Sequence, residues 1–156
     1  MRDLHTAYGE ARVLFGVSLE VAAGECLVLL GGSGSGKTTT LKLVNRLLEA
    51  DAGQVLVEGV DAREIAPHLL RRRIGYGFQQ VGLFPHLTVA ENVAVTPELL
   101  GWDAARVAAR VDELLALVEL PAAEFRTRWP HELSGGQQQR VGLARALAGG
   151  ARLLLL

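Results

Sequence analysis

The stretch GGSGSGKT, residues 31–38, decides the fold class. It fits the spacing G-x-x-x-x-G-K-[S/T], in which glycines let several backbone N–H groups point at one anion. The apolar run ECLVLL, residues 25–30, precedes it and predicts a buried strand. Residues 37–48, KTTTLKLVNRLL, carry apolar side chains on one helical face. A strand, a glycine-rich loop and a helix in this order predict a phosphate-binding unit of an α/β protein.

The loop also contains the polar groups that a bound nucleotide requires. Lys37 supplies a mobile positive charge for the β- and γ-phosphates of ATP, and the hydroxyl of Thr38 suits Mg²⁺. A flexible Gly/Ser linker is the alternative, but it explains neither the lysine nor the position between strand and helix. The predicted nucleotide-binding residues here are Gly31, Gly32, Ser33, Gly34, Ser35, Gly36, Lys37, Thr38 and Thr39.

A second motif, LSGGQQQR at residues 133–140, predicts another helix that begins at an anion site. Ser134 and Gln137 have the spacing of a capping box. Capping does not explain Gly135 and Gly136, because each glycine costs about 1 kcal/mol relative to alanine inside a helix. Two glycines in the first turn instead leave the N–H donors open to a phosphate. Ser134, Gly135, Gly136 and Gln137 are therefore predicted to bind a phosphate group.

Together the two motifs resemble the ATP-binding subunits of ABC transporters, with GGSGSGKT similar to their Walker A loop and LSGGQ to their signature. The resemblance covers essentially the whole chain. It implies an α/β P-loop NTPase core with a RecA-like sheet, incomplete in this sequence, and a helical ABC subdomain. Residues 1–85 and 150–156 would form the core, and residues 86–149 the helical subdomain.

The same resemblance implies cofactors and partners. The cofactors are ATP and Mg²⁺, and two such subunits would enclose two ATP molecules head to tail. The other expected partners are membrane permease subunits and a separate substrate-binding protein. An ABC ATPase of DNA repair or translation is the competing interpretation, but the net charge of −1 and the absence of a basic stripe argue against nucleic acid.

Further residues are assigned by the resemblance alone. Tyr8 corresponds to the aromatic residue that stacks on adenine, although a partly buried tyrosine at a strand end is an alternative. Gln79 corresponds to the glutamine that reaches Mg²⁺ and the attacking water, with Gln80 beside it as the alternative. Lys37 and Gln79 are thus the expected catalytic residues, and Thr38 and Gln79 the expected metal ligands. The stretch Phe84 to His86 resembles the surface that faces the permease.

The cargo is inferred from a narrower resemblance. RIGYGFQQVGLFPHLTVAENVAV, residues 73–95, resembles importers of glycine betaine, choline and related osmoprotectants, whereas residues 8–25 resemble branched-chain amino-acid importers. The first region is the more selective, so the osmoprotectant group is favoured. The N-terminus lacks the apolar segment of a signal peptide, and no apolar run is long enough to span a membrane. We therefore expect a cytoplasmic protein that is peripheral on the inner face of the membrane.

The last stretch, ARLLLL at residues 151–156, predicts a buried strand. In the family this strand is followed by Asp-Glu, and the 156 residues end before that pair. The expectation is that this chain by itself does not hydrolyse ATP. A non-hydrolysing regulatory module that binds ATP becomes the alternative if the natural gene ends at Leu156. The one cysteine, Cys26, is expected to be a core thiol.

Overall fold

The structure is a computed structural model that describes residues 1–9, 11–77 and 81–156. These residues form two compact units, Met1–Arg71 and Arg72–Leu156. The division expected from the family resemblance, into residues 1–85 with 150–156 and residues 86–149, has different boundaries and stays a prediction. No helix in the described ranges is both long enough and apolar enough to cross a membrane.

The first unit is built on a three-stranded antiparallel sheet in the order β2-β1-β3. The strands are β1 (Arg2–Tyr8), β2 (Ala11–Val17) and β3 (Ala52–Gln54). In the middle of β1 the buried side chains alternate with half-buried ones, as in a sheet with one covered face. Leu4 and Thr6 supply the buried face. Helix α1 (Lys37–Val44) follows the glycine-rich loop and buries Thr39, Thr40, Leu43 and Val44.

A small hairpin and a short helix that reaches the boundary of the two units complete the first unit. Strands β4 (Leu56–Val57) and β5 (Val60–Asp61) are joined by Glu58 and Gly59, which both have positive φ, 53° and 82°. A two-residue turn with positive φ at both positions matches the twist of the paired strands. A 3₁₀ turn (Ala62–Glu64) and helix α2 (Pro67–Arg72) follow.

The predicted strand at residues 25–30 does not form. This segment has no ladder partner in the described part of the chain, and Leu27, Val28 and Leu30 are 43%, 67% and 88% exposed. A run that is apolar on both faces is buried only when it lies between other strands. Here β1 already has β2 on one edge and β3 on the other. The expectation of a core thiol is wrong for the same reason, because Cys26 is exposed.

The second unit combines a parallel strand pair with a helical bundle. Strand β6 (Ile74–Tyr76) pairs with β7 (Leu153–Leu155), and the partners are Ile74 with Leu153 and Tyr76 with Leu155. This confirms the strand predicted in the leucine run. The ladder continues beyond β6, where the Gly77 N–H donates to the Leu155 carbonyl at 2.8 Å. The helices are α3 (Val89–Leu99), α4 (Ala104–Leu117), α5 (Ala122–Phe125) and α6 (Gly135–Ala148), with a 3₁₀ turn at Pro130–Glu132.

Each long helix of the second unit begins at a side-chain cap. Thr88 forms a capping box with Glu91, and the hydrogen bonds from the Thr88 backbone and hydroxyl hold the pKa of Glu91 below its usual value. Asp103 accepts from the Arg106 N–H at 2.9 Å. Ser134 forms a second capping box with Gln137. The caps predicted at Asp103 and Ser134 are therefore confirmed.

The core of the second unit lies between α3, α4 and α6. Its buried members include Val89 and Val93 from α3, Val111, Leu114 and Leu115 from α4, and Val141, Ala144 and Ala148 from α6. The end of α6 lies close to α3, because a Cβ at Gly149, the C-cap of α6, would lie 2.7 Å from Thr96 Cγ2. Strand β6 is equally close to α6, because a Cβ at Gly75 would overlap the Ala146 carbonyl oxygen.

Asn92 on α3 organises the turn that precedes this helix. Its side chain is fully buried, and its Oδ1 accepts from the Phe84 N–H at 2.8 Å. Its Nδ2 donates to the carbonyls of Phe84, Leu87 and Thr88 at 3.1, 3.0 and 2.9 Å. One amide side chain therefore contacts four backbone groups, with its two N–H protons shared among three carbonyls, and fixes residues 84–88 on the helical bundle.

Replacing Asn92 with leucine is expected to lower the free energy of unfolding by about 3 kcal/mol, because buried backbone groups lose their partners. Urea denaturation measures this loss. Gln138→Leu is the matched control, since Gln138 Nε2 also donates to two carbonyls, Pro130 at 3.0 Å and Leu133 at 3.3 Å, from a half-buried position. The control is expected to lose about 1 kcal/mol. Equal losses in the two variants would contradict the role given to Asn92.

Candidate nucleotide-binding site

The glycine-rich loop passes directly into helix α1. The N-cap of α1 is Gly36, which has a φ of 86° and makes no side-chain cap. A Cβ at Gly36 would lie 2.7 Å from Leu14 Cδ2, so glycine is needed there for both backbone conformation and space. Because no side chain caps this helix, the N–H groups of its first turn remain available to a ligand.

Lys37 folds its side chain back into the loop. Its Nζ donates to the carbonyls of Gly31 and Gly32 at 2.7 and 2.8 Å and to Ser35 Oγ at 3.1 Å. The structure therefore brings together four of the predicted loop residues and places a positive charge among them. An anion at this point would meet the ammonium group and the positive end of α1. The contact with β- and γ-phosphates stays a prediction.

The threonines after Lys37 have different surroundings. Thr40, which was not predicted as a site residue, is buried, and its hydroxyl donates to the Gly36 carbonyl at 3.0 Å. Thr39 is also buried. Thr38 is exposed, and its hydroxyl makes no hydrogen bond to any residue that the structure describes. Of the three, Thr38 is therefore the one suited to binding an ion.

The Thr38 hydroxyl is suited to Mg²⁺ only together with further oxygen ligands. Mg²⁺ prefers six oxygen ligands and is usually held by one or two protein groups together with phosphate oxygens and water. The described ranges contain no group of three or more His, Cys, Asp or Glu side chains arranged for a metal ion. A single threonine hydroxyl therefore fits a Mg²⁺ ion that is held mainly by phosphate oxygens and water. The second predicted ligand, Gln79, and its neighbour Gln80 lie outside the described residues.

Tyr8 occupies the last position of β1, where it pairs with Ala11. Its side chain is 51% exposed, so much of the ring is open to solvent. An exposed aromatic ring is able to stack on a planar base. The assignment of Tyr8 to adenine stays a prediction, because no contact in the structure identifies that role.

The signature residues form the first turn of α6 in the second unit. Gln137 Oε1 accepts from the Ser134 N–H at 2.8 Å, and Ser134 Oγ accepts from the Gln137 N–H at 3.3 Å. No atom of the residues that the structure describes lies within 4 Å of a Cβ built on Gly135 or Gly136. The two glycines therefore face open space at the positive end of a 14-residue helix. This arrangement has the room that the predicted phosphate contact requires.

Comparison with known proteins identifies the family. Residues 14–156 match the ABC transporter family. The chain belongs to the ABC transporter family. Solved ABC cassettes share its α/β P-loop NTPase fold, which confirms the predicted fold class. A dimeric structure of the cassette MJ0796 superimposes with a TM-score of 0.87 at 33% identity, covering 98% of this chain and 70% of that one. A post-hydrolysis dimer of the same cassette, bound to ADP and Pi, has a TM-score of 0.85 at 32% identity with the same coverage.

Several curated ABC relatives have names that refer to osmoprotectants. The osmoprotectant import ATP-binding protein OsmV of Salmonella typhimurium is 51% identical over 90% of this chain and 37% of its own length. The glycine betaine uptake ATP-binding protein YehX of Escherichia coli is 48% identical over 96% of this chain and 48% of its own. The choline transport ATP-binding protein OpuBA of Bacillus subtilis is 46% identical over 97% of this chain and 39% of its own length. The chain thus spans less than half the length of these relatives.

Two side chains that fix the segment of residues 81–88 to the helical bundle were not predicted from the sequence. Arg145 lies on α6 and contacts residues 81 and 82, and Asn92 holds residues 84–88. A signal for Arg145 does exist in the sequence, because it stands within the otherwise apolar run VGLARALA at 141–148. A charged residue in such a run is rarely buried without a partner. No comparable signal distinguishes Asn92.

Proposed function

We propose that this chain is the nucleotide-binding part of a subunit that powers an ABC importer through ATP binding and hydrolysis. The observation that carries the proposal is Lys37, whose ammonium group lies among the carbonyls of Gly31 and Gly32 at the start of a helix with no side-chain cap. A fixed positive charge at the N-terminus of a helix is suited to a polyphosphate. ATP is the nucleotide used by the family, and Mg²⁺ would bind through Thr38 and the phosphates.

The partners follow from the same proposal. Two copies would enclose ATP between the loop of one and the signature of the other, and the open space beside Gly135 and Gly136 supports this arrangement. Permease subunits and a substrate-binding protein would complete the importer. The subunit would then be cytoplasmic and peripheral on the inner face of the membrane. ATP-dependent doubling of the molecular mass in light scattering tests the dimer, and a mass unaffected by ATP would count against it.

The proposed cargo is an osmoprotectant of the glycine betaine or choline type. The proposal is supported by the names of relatives that are 45–51% identical to this chain. Relatives named for spermidine/putrescine and for sulfate/thiosulfate, at 47% and 46% identity, fall within the same range. Cargo therefore requires a direct test. Cells lacking the gene should lose uptake of radiolabelled glycine betaine and choline but retain uptake of spermidine and sulfate.

For the polypeptide of residues 1–156 by itself, we propose ATP binding without turnover. The 156 residues do not include the Asp-Glu pair that the family resemblance places after the leucine strand. Without these carboxylates the reaction lacks a metal ligand and the group that polarises the attacking water. The test compares phosphate release by residues 1–156 with release by the full-length protein. Release at equal rates would refute the proposal.

A further inference from the structure

The segment of residues 81–84 follows Gln79 and Gln80 in the sequence and lies against the signature helix. Arg145 on α6 makes the principal polar contact. Its Nη2 donates to the Val81 carbonyl at 3.0 Å, and its Nη1 donates to the Gly82 carbonyl at 2.8 Å. Two separate nitrogens of one planar guanidinium group therefore bind two successive carbonyls, whereas a lysine has a single ammonium nitrogen and lacks this rigid pair of donors.

Two further contacts reinforce this attachment. The guanidinium carbon of Arg145 lies 5.5 Å from the centroid of the Phe84 ring, within the range of a cation–π interaction. Gly142 lies one turn before Arg145 on the same face, and a Cβ built there would be 3.0 Å from Val81 Cγ1. The segment therefore rests almost directly on the helix backbone, with the guanidinium group beside it.

The far end of the segment is attached to the same helical bundle. Asn92 of α3 binds both the N–H and the carbonyl of Phe84, at 2.8 and 3.1 Å. Phe84 is nevertheless 41% exposed, so its backbone is fixed while part of its ring faces solvent. The contacts from α6 and α3 together leave residues 81–84 little freedom to move independently of the bundle.

Arg145 and the signature lie at opposite ends of one continuous helix. Ser134 caps α6, and Arg145 comes eleven residues later, which corresponds to about 16 Å along the helix axis at 1.5 Å per residue. Burial lowers the pKa of the Arg145 guanidinium, yet arginine stays charged at neutral pH. The desolvation cost of this half-buried cation is offset by the carbonyls of Val81 and Gly82.

We propose that Arg145 is a positioning residue that fixes residues 81–84 to the helix that carries the predicted signature, so that this segment and the signature move as one unit during turnover. This inference rests on the proposed ATPase function. Arg145 touches no nucleotide in this scheme. Its loss should leave ATP affinity intact and lower the rate of the chemical step, because residues 81–84, which follow the predicted glutamine in the sequence, are no longer fixed to that helix.

The test compares Arg145→Lys with Arg110→Lys in the full-length protein. Arg110 is the matched control, because it also donates to two successive carbonyls of the second unit, Leu147 at 3.0 Å and Ala148 at 3.4 Å, but does not reach residues 81–84. Two readouts are required. The first is amide hydrogen exchange at Phe84 and Leu87, whose N–H groups are hydrogen-bonded at 2.8 and 3.2 Å. The second is kcat and KM for ATP.

Arg145→Lys is expected to speed exchange at Phe84 and Leu87 at least tenfold and to lower kcat at least tenfold, with KM for ATP changed by less than twofold. Arg110→Lys should change none of these quantities by more than twofold. Wild-type exchange and kcat in Arg145→Lys, or equal effects in both variants, would overturn the proposal. If the full-length wild-type protein binds ATP but does not hydrolyse it, the proposed function fails. In that case the exchange measurement alone decides whether Arg145 holds residues 81–84.

Phe84→Leu provides a second variant that removes the ring and leaves the backbone contacts of Arg145 in place. It is expected to lower kcat by about threefold. If Arg145 acts through the segment, the double variant should lose little more than Arg145→Lys alone. Losses that multiply would show that the two residues act independently and would contradict the inference.

Discussion

Replacing Lys37 with alanine is expected to weaken ATP binding by roughly 100-fold, equivalent to about 3 kcal/mol. The ammonium group lies 2.7 and 2.8 Å from the carbonyls of Gly31 and Gly32. The substitution removes a charge-assisted donor and also leaves the negative ends of two carbonyl dipoles facing the incoming phosphates. The effect on binding therefore exceeds the loss of one ordinary hydrogen bond. Calorimetric titration of the protein with ATP measures it.

Lys42→Ala is the matched control for this prediction, because Lys42 lies on the same helix but donates no hydrogen bond to the described loop residues. It should bind ATP within threefold of the wild type. The thermal stability of both variants should stay close to that of the wild type, since neither lysine is in the core. An affinity in Lys37→Ala close to that of Lys42→Ala would show that the loop binds something other than a polyphosphate.

In the full-length protein, replacing Gly135 with glutamate is expected to stabilise α6 while lowering ATP turnover at least 100-fold. Glutamate is a better helix former than glycine, and a negative charge in the first turn interacts favourably with the helix dipole. Within the described ranges no atom lies within 4 Å of a Cβ at this position, so the new side chain meets no obstacle there. The same carboxylate repels a phosphate that approaches the N-terminus of the helix. Stability and activity should therefore change in opposite directions.

Gly135→Gln separates charge from size in this experiment, because the two side chains have nearly the same shape. Urea denaturation should give both variants a free energy of unfolding at or above that of the wild type. Phosphate release should be at least tenfold faster in Gly135→Gln than in Gly135→Glu. Unchanged turnover in Gly135→Glu would exclude an anion from this helix terminus.

The features that were predictable from the sequence are those that depend on neighbours in the chain. The caps at Asp103 and Ser134 and the strand in the leucine run all follow from patterns within a few residues, and the structure contains each of them. The glycine-rich loop was recognisable for the same reason, because its spacing alone defines where α1 begins.

Features that depend on distant partners were not predictable in this way. The apolar run at 25–30 has the composition of a central strand, but composition does not state whether strands are present on either side. The contact of Arg145 with Val81 joins residues 64 positions apart. Asn92 has nothing in its local sequence that distinguishes it from an exposed asparagine, since its role depends on the path of residues 84–88.

Gly75 shows how main-chain contact restricts sequence change. A methyl group at this position would overlap the Ala146 carbonyl and lie 2.7 Å from Leu154 Cδ1. The spacing between β6 and α6 is therefore set by backbone atoms, and no choice of side chain elsewhere adjusts it. Any substitution would displace helix α6, whose first turn contains the predicted signature residues. Over evolutionary time this position should stay nearly invariant, while neighbouring surface positions drift freely.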